Sequence, residues 1–154
     1  MANIDLSQQI IGWREWVSLP DLGVDSIKGK IDTGARTSAL HAFFVESFIR
    51  DGVEWVRFGI HPKQNNSDYS LECEAAVKDR RLVSDSGGHR ETRYVIETTL
   101  KLGDHRWLVE MTLTDRDSMR FRMLIGRTAL GGHFLVNPKA SYKIGKKPGK
   151  NKSR

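Results

Sequence analysis

The chain has 154 residues, 38% hydrophobic and 29% charged, with a formal net charge of +6. This suits one soluble domain with a real core; no apolar run nears the roughly 18 residues of a membrane span, and Met1-Ala2-Asn3-Ile4-Asp5 does not open a secretory signal. Cys73 is the single cysteine, which excludes an intrachain disulfide and points to a reducing compartment, the cytoplasm.

Residues 1–9 read as an N-terminal extension, 10–142 as one domain and 143–154 as a basic, solvated tail. That tail holds Lys143, Lys146, Lys147, Lys150, Lys152 and Arg154 with no acid, so its six charges equal the net excess. The body is therefore near neutral, and nucleic acid is not the expected partner. Ile10 to Leu19 predicts a first strand, closed by Pro20-Asp21-Leu22-Gly23, and Val24 to Asp32 a second. Ala39 to Ile49 continues as β-prone sequence, and Asp51-Gly52 is a hairpin signal before Val53 to Ile60. In that run Val53, Trp55 and Phe58 are expected on one face, Glu54, Val56 and Arg57 partly on the other. Pro62 to Asp68 is a polar loop, Leu71 to Val83 a strand or strand pair, and Ser84 to Gly88 a turn.

Arg93 to Leu102 places Tyr94, Ile96, Thr98 and Leu100 on one face. Gly103-Asp104 turns it into Trp107 to Thr114, where Trp107, Val109, Met111 and Leu113 alternate with the rest. Phe121 to Ile125 is a short buried strand, and Arg127 to Leu130 begins a helical turn before Gly131-Gly132. The tryptophans at 13, 16, 55 and 107 read as core residues, as do Met111, Met119 and Met123. Strands at about ten-residue spacing, without a long 3.6-residue period, predict an all-β barrel.

Asp32-Thr33-Gly34 stands at the end of the second strand, and Leu124-Ile125-Gly126-Arg127 repeats an apolar run stopped by glycine downstream. An aspartate on a tight turn with such a segment is the layout of half an aspartic peptidase site. Two close carboxylates cannot both ionise, so they share a proton across a bound water and activate it. The chain carries the motif once, so the expected catalyst is a homodimer in which each copy contributes Asp32. Thr33 is expected to hydrogen-bond across the two-fold axis, and Gly34 to bring backbone N–H groups near the carboxylate.

Lys30-Ile31-Asp32-Thr33-Gly34-Ala35-Arg36-Thr37-Ser38-Ala39-Leu40-His41-Ala42, Arg90-Glu91-Thr92-Arg93-Tyr94-Val95-Ile96 and Ile125-Gly126-Arg127 resemble a bacterial retropepsin-like family of RimB-type proteins. The resemblance spans about residues 10–142. It implies a retropepsin-like closed β-barrel with one short helical turn after Leu-Ile-Gly-Arg, a homodimer, and Asp32, Thr33 and Gly34 as the catalytic turn. It also implies a setting beside ATP-grasp ligases that add glutamate to protein tails, with trimming of glutamate-rich tails as the activity. Members are labelled ATP-dependent zinc proteases, but the residues support neither zinc nor ATP. His41, His61, His89, His105 and His133 are scattered, there is no His-Glu-x-x-His, and no phosphate loop is present. No metal and no cofactor is expected.

Arg36, Arg93 and Arg127 lie beside these motifs and, with Ala35, are the expected substrate-binding residues. Their guanidinium forks suit the carboxylates of an acidic peptide, or else structural ion pairs. Either Asp51-Gly52 or Ser84 to His89 is the expected hairpin lid, with the second preferred for Gly87-Gly88. The alternatives to a peptidase are an inert module that grips acidic peptides or ribosomal components, and a basic RNA-contacting barrel.

Overall fold

Alternating apolar residues give this chain strands, and a few glycines decide where those strands change sheet. The computed structural model describes residues 9–63, 68–84, 87–115 and 120–145. Its elements are β1 (Gln9–Gly12), β2 (Arg14–Leu19), β3 (Val24–Asp32), β4 (Ser38–His41), β5 (Phe44–Arg50), β6 (Val53–Ile60), β7 (Leu71–Ala76), β8 (Asp79–Ser84), β9 (Arg90–Leu102), β10 (His105–Thr114), β11 (Met123–Gly126), α1 (Arg127–Leu130) and β12 (Phe134–Asn137). The largest sheet runs β10-β4-β11-β3-β2-β9-β8, and β9 also pairs with β10, which closes a ring of six strands with β8 branching from it. A three-stranded sheet, β5-β6-β7, and a two-stranded parallel pair, β1-β12, complete the mostly-β fold. The interior holds Ile27, Leu40, Phe58, Ile96, Leu100, Met111, Met123 and Ile125, all fully buried.

The β9–β10 hairpin forms as its alternation predicts, with Ile96, Leu100, Met111 and Leu113 buried. The Asp51-Gly52 turn joins β5 to β6 with φ of 53° and 78°, the two positive values that a two-residue hairpin matches to strand twist. Other expectations shift. Residues 10–19 make two strands, because the chain crosses tightly at Gly12, where a Cβ would lie 2.3 Å from the Ala140 oxygen. Residues 39–49 also divide: β4 joins the ring, and the chain then leaves it at Ala42-Phe43 for β5. The inward face of β6 is Val56, Phe58 and Ile60, while Val53 and Trp55 turn away, so Phe58 sides with Val56 and not with Trp55 as expected. Residues 71–83 resolve into β7 and β8, on different sheets. The parallel strand β12 has no counterpart in the sequence reading.

None of the four tryptophans is fully buried. Trp13 meets Phe121 edge-on, Trp16 stacks on Tyr142, Trp55 stacks on Phe48, and Trp107 donates from Nε1 to the Ala129 carbonyl at 2.9 Å. Their large rings close the rims of the core. Met111 and Met123 are buried as expected; Met119 and part of the Ser84–Gly88 turn (Asp85 and Ser86) lie outside the described residues.

A buried carboxylate fastens the last described segment. Glu15 is fully buried and accepts N–H groups from Gly12 at 2.6 Å, Lys143 at 2.8 Å, Ile144 at 3.2 Å and Gly145 at 2.8 Å. Lys143 to Gly145, the start of the basic segment, are thereby bound to the body; residues 146–154 lie outside the described set. A buried anion needs this degree of satisfaction. Glu15→Ala should lower the unfolding free energy by about 3 kcal/mol or more, because several buried N–H groups lose their acceptor. Urea denaturation checks this, and an unchanged midpoint would refute it.

On the β8–β9–β10 surface, Arg81 and Lys78 both hydrogen-bond Glu110, at 2.7 Å and 3.1 Å. These bonds, Arg81 first and Lys78 second, hold the Glu110 carboxyl down at about 2, from an ordinary 4.5. A carboxyl lowered on folding stabilises the protein above its unfolded value and loses that contribution as pH falls. The Glu110 share should be intact above about 4.5 and disappear toward pH 2. Glu110→Gln should flatten the acid limb of stability against pH over that window; an unaltered limb would sink the assignment.

Candidate functional site

The strand β3 delivers Asp32 to the open end of the ring. Its side chain is half-buried, while Thr33 and Gly34 are exposed at the tip. The Gly34 N–H donates to Asp32 Oδ1 at 3.1 Å, and the Ala35 N–H to the Asp32 carbonyl at 3.1 Å, so the turn is closed by its own backbone. A Cβ on Gly34 would lie 3.3 Å from that same carboxylate oxygen, tight enough to press against it. The expected gathering of backbone N–H groups at Asp32 is thus present in one bond.

The second motif lies against the first. β11 runs parallel to β3 with Ile125 opposite Ile31 and Gly126 opposite Asp32. Gly126 is there for space: a Cβ would come 2.7 Å from the Thr37 carbonyl carbon and 2.9 Å from the Ala35 oxygen. Its N–H donates to the buried Ser38 Oγ at 3.0 Å. The start of α1 then takes the loop's carbonyls in turn. Arg127 Nη1 donates to the Gly34 oxygen at 3.1 Å, the Arg127 N–H to Ala35 at 2.8 Å, and Thr128 to Arg36 through its N–H at 3.1 Å and its hydroxyl at 2.7 Å.

A groove of about 700 Å³ opens beside this loop, lined by Asp32, Arg36, Ala39, Arg81, Arg93 and Leu124, among others. Arg93 reaches it from β9, but its Nε bonds Glu91 at 2.7 Å and its side chain is only 10% exposed. Glu91 also accepts from the Thr114 hydroxyl at 2.7 Å. Arg81 stands opposite Arg93 across the β8–β9 hairpin and is held by Asp79 at 2.9 Å and Glu110 at 2.7 Å. Arg127 is spent on the loop backbone. Arg36 is different: it is exposed, and among the described residues no carboxylate pairs with it. Of the expected arginines, then, Arg93 and Arg127 hold the site together, and Arg36 faces the groove uncommitted; Ala35 lines it as well.

Sequence reading missed Arg81, Ser38 and Thr128. Arg81 could have been found by extending the Ser84–His89 hairpin, whose register sets it opposite Arg93. Ser38 and Thr128 gave no signal, since each acts through a backbone group more than 85 residues away. Arg81 to Ser84 of β8 form a wall of the groove, whereas no residue of the Asp51-Gly52 turn lines it. No group of three or more His, Cys, Asp or Glu side chains that could hold a metal ion is found among the described residues.

Gly126→Ala should cost about 1–3 kcal/mol through overpacking and displace the Asp32 loop. Thermal denaturation and the chemical shifts of Gly34 and Ala35 report both effects; a variant with wild-type stability and shifts would contradict this packing.

Comparison with known proteins places the chain in a group. A crystal structure of a protein of unknown function from Legionella pneumophila superposes with a TM-score of 0.74 over 90% of this chain and 99% of that one; at 24% identity it shares the fold. A protein of Shewanella pealeana named probable alpha-L-glutamate ligase is 49% identical over 90% of this chain, and one of Desulfotalea psychrophila with the same name is 43% identical over 92%. The chain spans about 30% of the length of each. These names correct the expected function: relatives that share nearly all of this chain are named as probable ligases and not as peptidases. Peptide hydrolysis by paired Asp32 carboxylates is set aside. The model of the family described as "Retropepsin-like aspartic endopeptidase RimB" matches residues 10–147, and the chain belongs to that RimB-like family.

Proposed function

We propose that this chain works with an α-L-glutamate ligase as its glutamate-handling component, the groove at Asp32 receiving a glutamate-bearing chain. A glutamyl chain presents a carboxylate on every residue and an ammonium group at its amino end. The groove has one group suited to each. Arg36 offers a planar fork for a carboxylate, and Asp32 offers an anion for an ammonium or a backbone N–H. The observation that carries this reading is the uncommitted Arg36 beside Asp32, in a groove whose other arginines are occupied. The ligase partner is drawn from the names of the relatives.

Isothermal titration with tri-α-glutamate tests the groove. Wild type should bind it in preference to tri-glutamine, and Arg36→Ala should weaken it about tenfold, the loss of one charge-assisted contact. Equal binding of both peptides by both proteins would overturn the reading. In a reaction catalysed by an α-L-glutamate ligase, adding the chain should change the length distribution of the glutamyl products. A distribution indifferent to the chain would remove the ligase association.

A further inference from the structure

The cations of this chain fall into two populations. Arg50, Arg57, Lys78, Arg80, Arg81 and Arg93 each meet a carboxylate within salt-bridge distance. Arg14, Lys28 and Lys30, on the outer face of β2 and β3, pair with no carboxylate among the described residues. Cross-strand register puts Arg14 beside Lys30 and Trp16 beside Lys28, so these four share one face. Within 14–18 and 26–30 the sole acid is Glu15, which is buried on the opposite face.

Aromatic rings fix two of these charges. The Arg14 guanidinium lies 4.6 Å from the Trp13 ring centre and 5.0 Å from that of Tyr142, and Arg14 Nε bonds the Ser141 hydroxyl at 3.2 Å. Lys28 Nζ lies 5.2 Å from Trp16 and 5.8 Å from Tyr142, and those two rings stack on each other at 5.9 Å. Tyr142 is brought there by Glu15, whose bond to the next residue's N–H anchors the segment. Cations held over rings lose less freedom on meeting an anion than free lysines do.

This row is continuous with the groove. Side chains two apart on a strand share a face, so Lys28, Lys30 and Asp32 project from the same side of β3. Leu124, opposite Lys30 on the neighbouring strand, is itself a groove residue. We propose that the outer face of β2 and β3 is a second, elongated anion-binding surface that takes the part of an extended acidic peptide lying outside the Asp32 groove. The proposal rests on the reading of that groove as a glutamyl site. Lys28 and Lys30 are spaced about 6.6–6.8 Å apart along the strand, which is also the spacing of alternate side chains on an extended glutamyl chain. A peptide reaching from Asp32 to Lys28 needs about four extended residues, so it must be longer than one that fills the groove alone. Single-stranded nucleic acid is the weaker match, because Trp16 and Tyr142 already cover each other and the bases would lack open ring faces to stack on.

Fluorescence anisotropy with labelled tri-α-glutamate, deca-α-glutamate and a ten-nucleotide oligouridylate decides among these. The double variant Lys28→Gln/Lys30→Gln should bind tri-glutamate as wild type does and deca-glutamate about tenfold more weakly, with a shallower salt dependence. Lys30→Glu, at an exposed position that leaves the ring stack intact, should weaken deca-glutamate in the same direction and guards against misfolding of the double variant. Unchanged deca-glutamate affinity in the folded Lys30→Glu protein overturns the surface, even where Arg36→Ala still weakens tri-glutamate binding. Oligouridylate binding that exceeds deca-glutamate binding and falls in both lysine variants overturns it too, in favour of nucleic acid. If Arg36→Ala spares tri-glutamate while the lysine variants lose deca-glutamate, the groove reading fails and the surface stands.

Discussion

The parallel pairing of β11 with β3 is the constraint on which the site depends. It sets Gly126 against Asp32 across a long stretch of sequence, and parallel neighbours cannot be joined by a short turn. The intervening chain must therefore travel around the ring, through the three-stranded sheet and the β8–β9–β10 meander, before it returns. Once β11 is seated, α1 starts at the right place to bond the carbonyls of residues 34 to 36. The Asp32 turn is thus shaped locally by Gly34 and held remotely by Arg127 and Thr128.

A second constraint is the buried charge of Glu15. A carboxylate without solvent must collect donors, and here the donors are backbone N–H groups from Gly12 and from 143 to 145. One side chain thereby joins the first strands to the last described segment. It also sets Tyr142, with φ of 53°, where its ring can lie between Arg14 and Trp16. On β2 the outward Arg14 and the inward Glu15 are adjacent, so the period of two that builds the core also separates these opposite charges onto opposite faces.

Much of this was legible in the sequence where the interactions are local. The β9–β10 hairpin, the Asp51-Gly52 turn, β3 and the helical turn at Arg127 follow from alternation and turn residues within a few positions. The Asp32 motif and its downstream partner were legible as a pair. What stayed hidden depends on remote neighbours. Gly12 looks like any strand glycine until Ala140 approaches it, and the core face of β6 is chosen by which sheet the strand joins. Glu15 reads as the polar half of an amphipathic strand, and nothing local says that it is the buried half. Arg93 and Arg36 carry the same chemistry in the sequence, yet Glu91 neutralises one and nothing described neutralises the other.

That difference bears on what an Asp-Thr-Gly turn is for. Proton sharing requires a second carboxylate close by, whereas orienting a cationic or N–H group requires only one carboxylate held still. Asp32 is held still within a single chain, by the Gly34 N–H and by a loop whose Gly34, Ala35 and Arg36 carbonyls are taken. Its positive counterpart, Arg36, projects from the same loop and so moves with it. A rigid anion and a free cation on one loop make a small dipolar receptor, and an amino acid or peptide end carrying both charges is the ligand that uses both ends of it. Under the proposed partnership with an α-L-glutamate ligase, free glutamate and the amino end of a glutamyl chain are ligands of that kind.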